Sequence, residues 1–255
     1  MSNKISAVIN TYNAADTLEA TLRSVQKFDE VVVCDMESTD DTVAIATRYG
    51  CKVVTFPKGD LHIVEPARNF AIRAAAHEWV LVLDADEVVT DELRAYLYTQ
   101  VNDPYCPDGL FVPRKNFFMG RFMHATYPDY ILRFMRRDKA DWSPEIHSTP
   151  EIEGSVKRIP RDRKELALVH LAPNTLQDRL TKTNTYTEYE LEKKKDKRYG
   201  IGALLWRPFF RFFKSYVMKQ GFRDGLPGFI WAVYEGIYQF ALVSKHVERK
   251  RMNQS

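Results

Sequence analysis

Three carboxylates crowd the end of one apolar run: Trp79-Val80-Leu81-Val82-Leu83 leads straight into Asp84-Ala85-Asp86-Glu87. Like charges this close repel, so a compensating cation is expected. Hard oxygen ligands on a turn suit Mg2+ or Mn2+, which take few protein ligands and complete their shell with water and substrate phosphates. A cation held there would neutralise a departing diphosphate. A plainer reading stands beside this one: Asp86 and Glu87 cap a following helix, because acidic helix starts are common.

The elements that must position these acids alternate along the first half of the chain. Ile5 to Asn10 predicts a short buried strand, and Leu18, Leu22 and Val25 then recur at helical spacing after Asp16-Thr17. Val31-Val32-Val33-Cys34 is a second apolar run ending at Asp35, and Ser38 to Thr42 offers hydroxyls and carboxylates to start a helix running to about Tyr49. Lys52 to Phe56 predicts a third strand, Pro66 to Ala76 a helix, and Trp79 to Leu83 a fourth strand. Repeated βα units imply an α/β fold, a mostly parallel sheet with helices on both faces. Such sheets bind ligands beyond the carboxyl ends of their strands, where Asp35 and Asp84 fall. From about Tyr105 to Glu165, short strands and loops predict a mixed or antiparallel addition. After about Pro173 the pattern is helical.

A chain of 255 residues with 45% hydrophobic and 28% charged residues can bury one substantial core. A net charge of +3 gives no case for nucleic acid. The cysteines, Cys34, Cys51 and Cys106, are odd in number and lack metal-ligand spacing, which suits a reducing compartment. The opening Met1-Ser2-Asn3-Lys4 lacks the sections of a secretion signal. A cytoplasmic location is therefore expected.

Several segments, in order, resemble the family 2 inverting glycosyltransferases. Val8-Ile9-Asn10-Thr11-Tyr12-Asn13 is similar to that family's first strand and nucleotide loop, and Val33 to Thr42 to its second. Pro66-Ala67-Arg68-Asn69 matches an A-R-N element, and Leu83 to Glu87 the L-D-A-D-E form of the DxD motif. Met36-Glu37 departs from the pattern, since many relatives carry glycine second. Tyr127-Pro128-Asp129-Tyr130 with Leu132-Arg133, then a tryptophan segment and a late histidine, resembles the subgroup that extends the lipopolysaccharide core.

The resemblance implies a GT-A fold over residues 1–172 with a helical extension over 173–255. It implies a nucleotide-sugar donor, with UDP-glucose or another UDP-hexose favoured, and a lipid-linked saccharide acceptor. Asp35 would contact the base, with Thr11, Tyr12 and Asn13 lining its pocket. Arg68 would approach the diphosphate, Asp84 the ribose or the metal's water, and Asp86 would ligate the metal. His147 is the further ligand expected, with His170 as an outside candidate. Inversion needs one base to take the acceptor proton, and Asp129 and Glu145 both qualify.

Leu204-Leu205, Pro208-Phe209, Phe212-Phe213 and Tyr216-Val217 recur every four residues, interleaved with Arg207, Arg211, Lys214 and Lys219. An aromatic stripe with a basic flank fits an interfacial helix at the cytoplasmic membrane face, or a helical pair packed on the catalytic domain or a second subunit. A sugar nucleotidyltransferase is a rival reading, but Asn10 to Thr17 lacks the glycine-rich loop it needs. A non-catalytic membrane scaffold with a relic pocket is another, opposed by the intact Asp84-Ala85-Asp86.

Overall fold

The computed structural model describes residues 3–59, 61, 64–143, 149–171, 175–193 and 199–252. Two residues singled out above, Glu145 and His147, lie outside these. In chain order the first half runs β1 (Ile5–Thr11), α1 (Ala15–Val25), β2 (Glu30–Asp35), α2 (Thr42–Arg48), β3 (Lys52–Thr55) and α3 (Glu65–Ala74). It continues with β4 (Trp79–Asp84), β5 (Glu87–Val88), α4 (Asp91–Val101) and β6 (Gly109–Lys115). Then come β7 (Phe117–Phe118), β8 (Arg121–Phe122), β9 (Asp129–Arg136), β10 (Ala140–Asp141), β11 (Glu151–Ile152), β12 (Val156–Arg158) and β13 (Leu168–His170). The helices α5 (Leu176–Lys193), α6 (Ala203–Phe213) and α7 (Gly225–Met252) complete the chain. These elements form two compact units: Met1–Lys115 with Pro128–Ala172, and Asn116–Tyr127 with Pro173–Ser255.

The first unit is built on a mixed sheet of order β3-β2-β1-β4-β9-β6-β13-β5, with β12 pairing β6. β1 to β4 are mutually parallel, and β9 enters antiparallel to both β4 and β6. Alternate residues of β1 point to opposite faces. Ile5, Ala7 and Ile9 pack with Leu18 and Leu22 of α1, Ile45 of α2 and Leu93 of α4. Val8 packs with Val80, Val82 and the α3 residues Ala67, Ala71 and Ile72. Helices therefore cover both faces, as the alternating pattern predicts. The first four parallel strands direct their carboxyl ends, including Asp35 and Asp84, to one edge.

Helix starts differ from the sequence expectation. No side chain caps α1 from its own N-terminus; instead the Ala14 N–H donates to Thr42 Oγ1 at 2.8 Å and the Ala15 N–H to Asp40 Oδ2 at 3.0 Å. The hydroxyls and acids expected to start α2 thus hold the loop after β1. The tertiary contact is added to a local one, since Asp40 Oδ1 also accepts the Thr42 N–H at 3.0 Å.

In the second unit, the hairpin of β7 and β8 belongs with the C-terminal helices. Phe118 packs edge-on against Trp231 at 5.4 Å, and the Arg179 guanidinium lies 3.6 Å from the Trp231 ring. The buried Asp224 accepts from the N–H groups of His124 and Ala125 at 2.9 and 3.1 Å. A π-helical turn, Lys214–Met218, extends α6, and α7 folds back along it. Among the described residues, no helix is long and apolar enough to cross a membrane.

The turn before α7 fits closely against it. A Cβ on Gly228 would stand 2.0 Å from the Gly221 carbonyl oxygen and 2.8 Å from Asp224 Cβ. Gly228→Ala should therefore cost about 1–3 kcal/mol, as overpacking does, read as a lowered urea midpoint. An unchanged midpoint would contradict this packing.

Candidate active site

Two clusters of polar side chains lie at the carboxyl ends of the parallel strands. The first gathers the loops after β1 and β2. Asp35 is buried, and its carboxylate accepts from Thr11 Oγ1 at 2.9 Å, the Ser38 N–H at 2.8 Å and Ser38 Oγ at 2.6 Å. A carboxylate offers about four lone-pair sites, so roughly one is left for a ligand. Asn13 Oδ1 accepts from the Thr39 N–H at 2.8 Å, and the Asn13 N–H donates to Ser38 Oγ at 2.8 Å. Tyr12 is exposed, with the Lys58 ammonium 4.8 Å from its ring. Thr11, Tyr12, Asn13 and Asp35 are thus brought together as the sequence suggests.

The Met36-Glu37 departure acquires a physical meaning here. Glu37 has φ of 61°, a left-handed backbone that glycine adopts freely and other residues adopt at a cost. Its Oε2 accepts from the Lys58 N–H at 3.1 Å. The glutamate keeps the glycine conformation and adds a tether to the following loop.

The second cluster is a chain of alternating charges. Arg68 of α3 donates to Asp84 Oδ1 at 2.7 Å, and Arg133 of β9 pairs with Asp84 Oδ2. Arg133 also approaches Glu87 Oε1 at 3.4 Å, which takes Arg114 Nη1 at 3.0 Å. Arg114 of β6 then donates twice to Asp129 Oδ2, from Nε at 3.0 Å and Nη2 at 2.7 Å. The Arg68 guanidinium stacks over Trp142 at 4.5 Å, and this tryptophan is buried core. Glu65, Arg68, Asp84, Arg114, Arg133 and Trp142 line a cavity of about 240 Å³.

This corrects the first expectation about the acidic run. The cations that compensate Asp84 and Glu87 are three guanidinium groups of the chain itself. Glu87 is fully buried and accepts the Asp84 N–H at 3.0 Å, so it anchors the turn and does not cap α4. Thr90 does that, accepting from the Leu93 N–H at 3.1 Å. Burial alone would raise the Asp84 carboxyl pKa. The charges of Arg133 and Arg68 outweigh it and hold the carboxyl well below the usual carboxylate range. Burial opposes charge on Arg133 too, yet Asp84 and Glu87 keep its pKa above the ordinary arginine value.

Asp86 turns to different partners. Its carbonyl accepts the Leu171 N–H at 2.7 Å, and its Oδ2 lies 3.3 Å from His170 Nε2. Adjacent ligand atoms on an octahedral ion with bonds of about 2.1 Å stand about 3 Å apart. One carboxylate oxygen and one imidazole nitrogen therefore fit two neighbouring positions of a divalent cation. Among the described residues, no group of three His, Cys, Asp or Glu could hold a metal. The remaining positions would fall to water and ligand oxygens. Glu145 and His147 lie outside the described residues; His170 stands beside Asp86.

Sequence reasoning assigned no role to Arg114, read Arg133 and Asn10 only as members of longer motifs, and read Glu87 only in the acidic run or as a helix cap. Asn10 is buried on the α3 face of β1, in register with Asp84 of β4, and neither polar atom of its side chain has a hydrogen-bond partner. Arg68 Nε and Nη1 are likewise without partners. A polar residue ending an apolar strand was the signal available for Asn10. For the pairing of the arginines there was none, because their partners are distant in sequence.

Residues 6–147 match the family model described as glycosyl transferase family 2, and the chain belongs to that family. An uncharacterised glycosyltransferase of Rickettsia conorii is 28% identical over 96% of this chain and 90% of its own length. The lipopolysaccharide core biosynthesis glycosyltransferase LpsC of Rhizobium meliloti is 25% identical over 96% of this chain and 92% of its own. Among solved structures, TarS residues 1–349 of S. aureus is 17% identical with a TM-score of 0.49, covering 98% of this chain and 92% of that one.

Asp84→Asn would leave Arg68 and Arg133 facing a neutral group. The expected loss is about 3 kcal/mol, the low end for a broken buried pair, because the Asp84 side chain keeps 30% accessibility. The folded pKa is depressed, so the contribution is complete above the unfolded value of about 3.9. It declines as pH falls below that. Urea melts of both proteins should show a constant gap from pH 5 to 8 that narrows below about pH 4. A gap that widens in acid would contradict the assignment.

Proposed function

We propose that the chain is a metal-dependent inverting glycosyltransferase that moves a hexose from a UDP-sugar to a hydroxyl of a lipid-linked saccharide, at the cytoplasmic face of a membrane. The observation that carries this is the Asp86 carboxylate beside His170 at the end of β4, next to the arginine-lined cavity. Family membership supports sugar transfer. The name of the Rhizobium meliloti relative supports a lipopolysaccharide-core acceptor. The donor class follows from the family resemblance.

In this reading Asp35 takes an N–H of the base at its remaining lone pair, with Thr11, Tyr12 and Asn13 around it. Asn10 and the unpartnered nitrogens of Arg68 supply hydrogen bonds to the ribose and diphosphate, as planar guanidinium suits phosphate oxygens. Asp86 and His170 would hold the cation, and an imidazole ligand favours Mn2+ over Mg2+. When bound, the cation stabilises charge on the leaving diphosphate. Asp129, oriented by Arg114, receives the acceptor proton during single displacement. Glu145 is the second candidate for that proton.

The test is a panel of variants assayed with UDP-sugars and Mn2+. Asp86→Ala and His170→Ala should each remove metal-dependent transfer and the metal-dependent rise in Tm given by UDP. Full activity in Asp86→Ala rejects the metal assignment. Asp129→Asn should cut kcat about 10²–10⁴-fold, the range for general-base loss, with UDP stabilisation intact. If Glu145→Gln shows that pattern and Asp129→Asn does not, the base is Glu145.

A further inference from the structure

The helical pair of α6 and α7 has its polarity reversed. From Ala203 to Met218, every exposed residue is apolar, including Leu205 at 80% and Phe209 at 70% exposure. Along α7, exposed Leu226, Phe229, Val233, Ile237 and Phe240 recur at spacings of three and four, one stripe of a helix. Polar side chains turn inward. Arg211 pairs with Glu235 at 2.5 Å and Arg207 donates to Gln239 at 2.9 Å, both across the two helices. The Gly236 backbone approaches the Pro208 carbonyl closely enough that a Cβ would lie 3.2 Å from it. Successive contacts pair later residues of α6 with earlier residues of α7, so the helices are antiparallel.

Water-facing surfaces rarely carry so continuous an apolar face. Charge indicates what covers it. Between Tyr199 and Val247 no carboxylate is exposed, while Lys219 and Arg223 are exposed in the turn joining the helices. We propose that this pair lies flat in the interfacial layer of an anionic bilayer, its apolar face among acyl chains and Lys219 and Arg223 at the headgroups. The inference deepens the proposed membrane location by naming the surface, and it rests on that reading only for its biological purpose. Flat insertion also suits helices that cannot span a membrane.

Tryptophan fluorescence offers a direct probe. Of the four tryptophans, all among the described residues, Trp79, Trp142 and Trp231 are buried and Trp206 is 56% exposed. Vesicles of phosphatidylglycerol and phosphatidylethanolamine should shift the emission to the blue, and brominated acyl chains should quench it. Trp206→Phe should abolish both signals. Leu205→Glu with Phe209→Glu should weaken vesicle binding at least about tenfold, since both apolar side chains leave the acyl layer. Lys219→Glu with Arg223→Glu should weaken it on anionic vesicles alone. The assay contains neither donor nor acceptor, and UDP stabilisation of the same variants checks the catalytic unit separately. Equal affinity for pure phosphatidylcholine vesicles would overturn the headgroup role. Absence of quenching, with sedimentation showing dimers that Leu205→Glu dissociates, would assign the face to a second copy and overturn the proposal. The quenching result on the unaltered protein decides the matter even if the double variants fail to fold.

Discussion

The alternating sequence of Arg68, Asp84, Arg133, Glu87, Arg114 and Asp129 is the constraint on which the first unit depends. Each ion withdrawn from water loses several kcal/mol of solvation, and its neighbours of opposite sign must return it. Three positive and three negative groups in succession achieve that balance. Such a chain adds little net stability over an apolar core, but removing Asp84 leaves the buried Arg68 without its carboxylate partner. Its effect is geometric: it ties α3, β4, β5, β6 and β9 together at the sheet edge.

That arrangement explains how a crowded acidic run can be tolerated at the sheet edge. Asp84 and Glu87 face guanidinium groups, so they need no metal to be tolerated. Asp86, two residues after Asp84, is directed to His170 across the β5 and β13 pairing, in which His170 stands opposite Glu87. The same turn thus sends one carboxylate to the arginine-lined cavity and another to an imidazole. In the proposed reaction the first side shapes the donor pocket and the second holds the cation.

Much of the fold was legible because its signals are local. Short β-branched runs ending in acids, separated by helical spacing, specify parallel βα units, and β1 to β4 follow them closely. Thr11, Asn13 and Asp35, expected from the sequence to share one pocket, also lie together, since adjacent parallel strands must bring their carboxyl ends together. What sequence could not supply was pairing at long range. Arg114 and Arg133 meet Glu87 across 27 and 46 residues, and no spacing rule announces that. The hydroxyls of Ser38 and Thr42 read as a helix start, yet they serve the loop of another element. The hairpin at 117–122 read as part of the sheet addition, but its Phe118 is buried against Trp231 of α7.

The most direct test is anomalous diffraction at the manganese edge from crystals grown with Mn2+ and UDP. The account predicts one strong peak within bonding distance of both Asp86 Oδ2 and His170 Nε2, with the diphosphate between it and Arg68. A UDP complex whose manganese contacts neither residue, or a peak seated on Asp84 in place of the arginines, would contradict it.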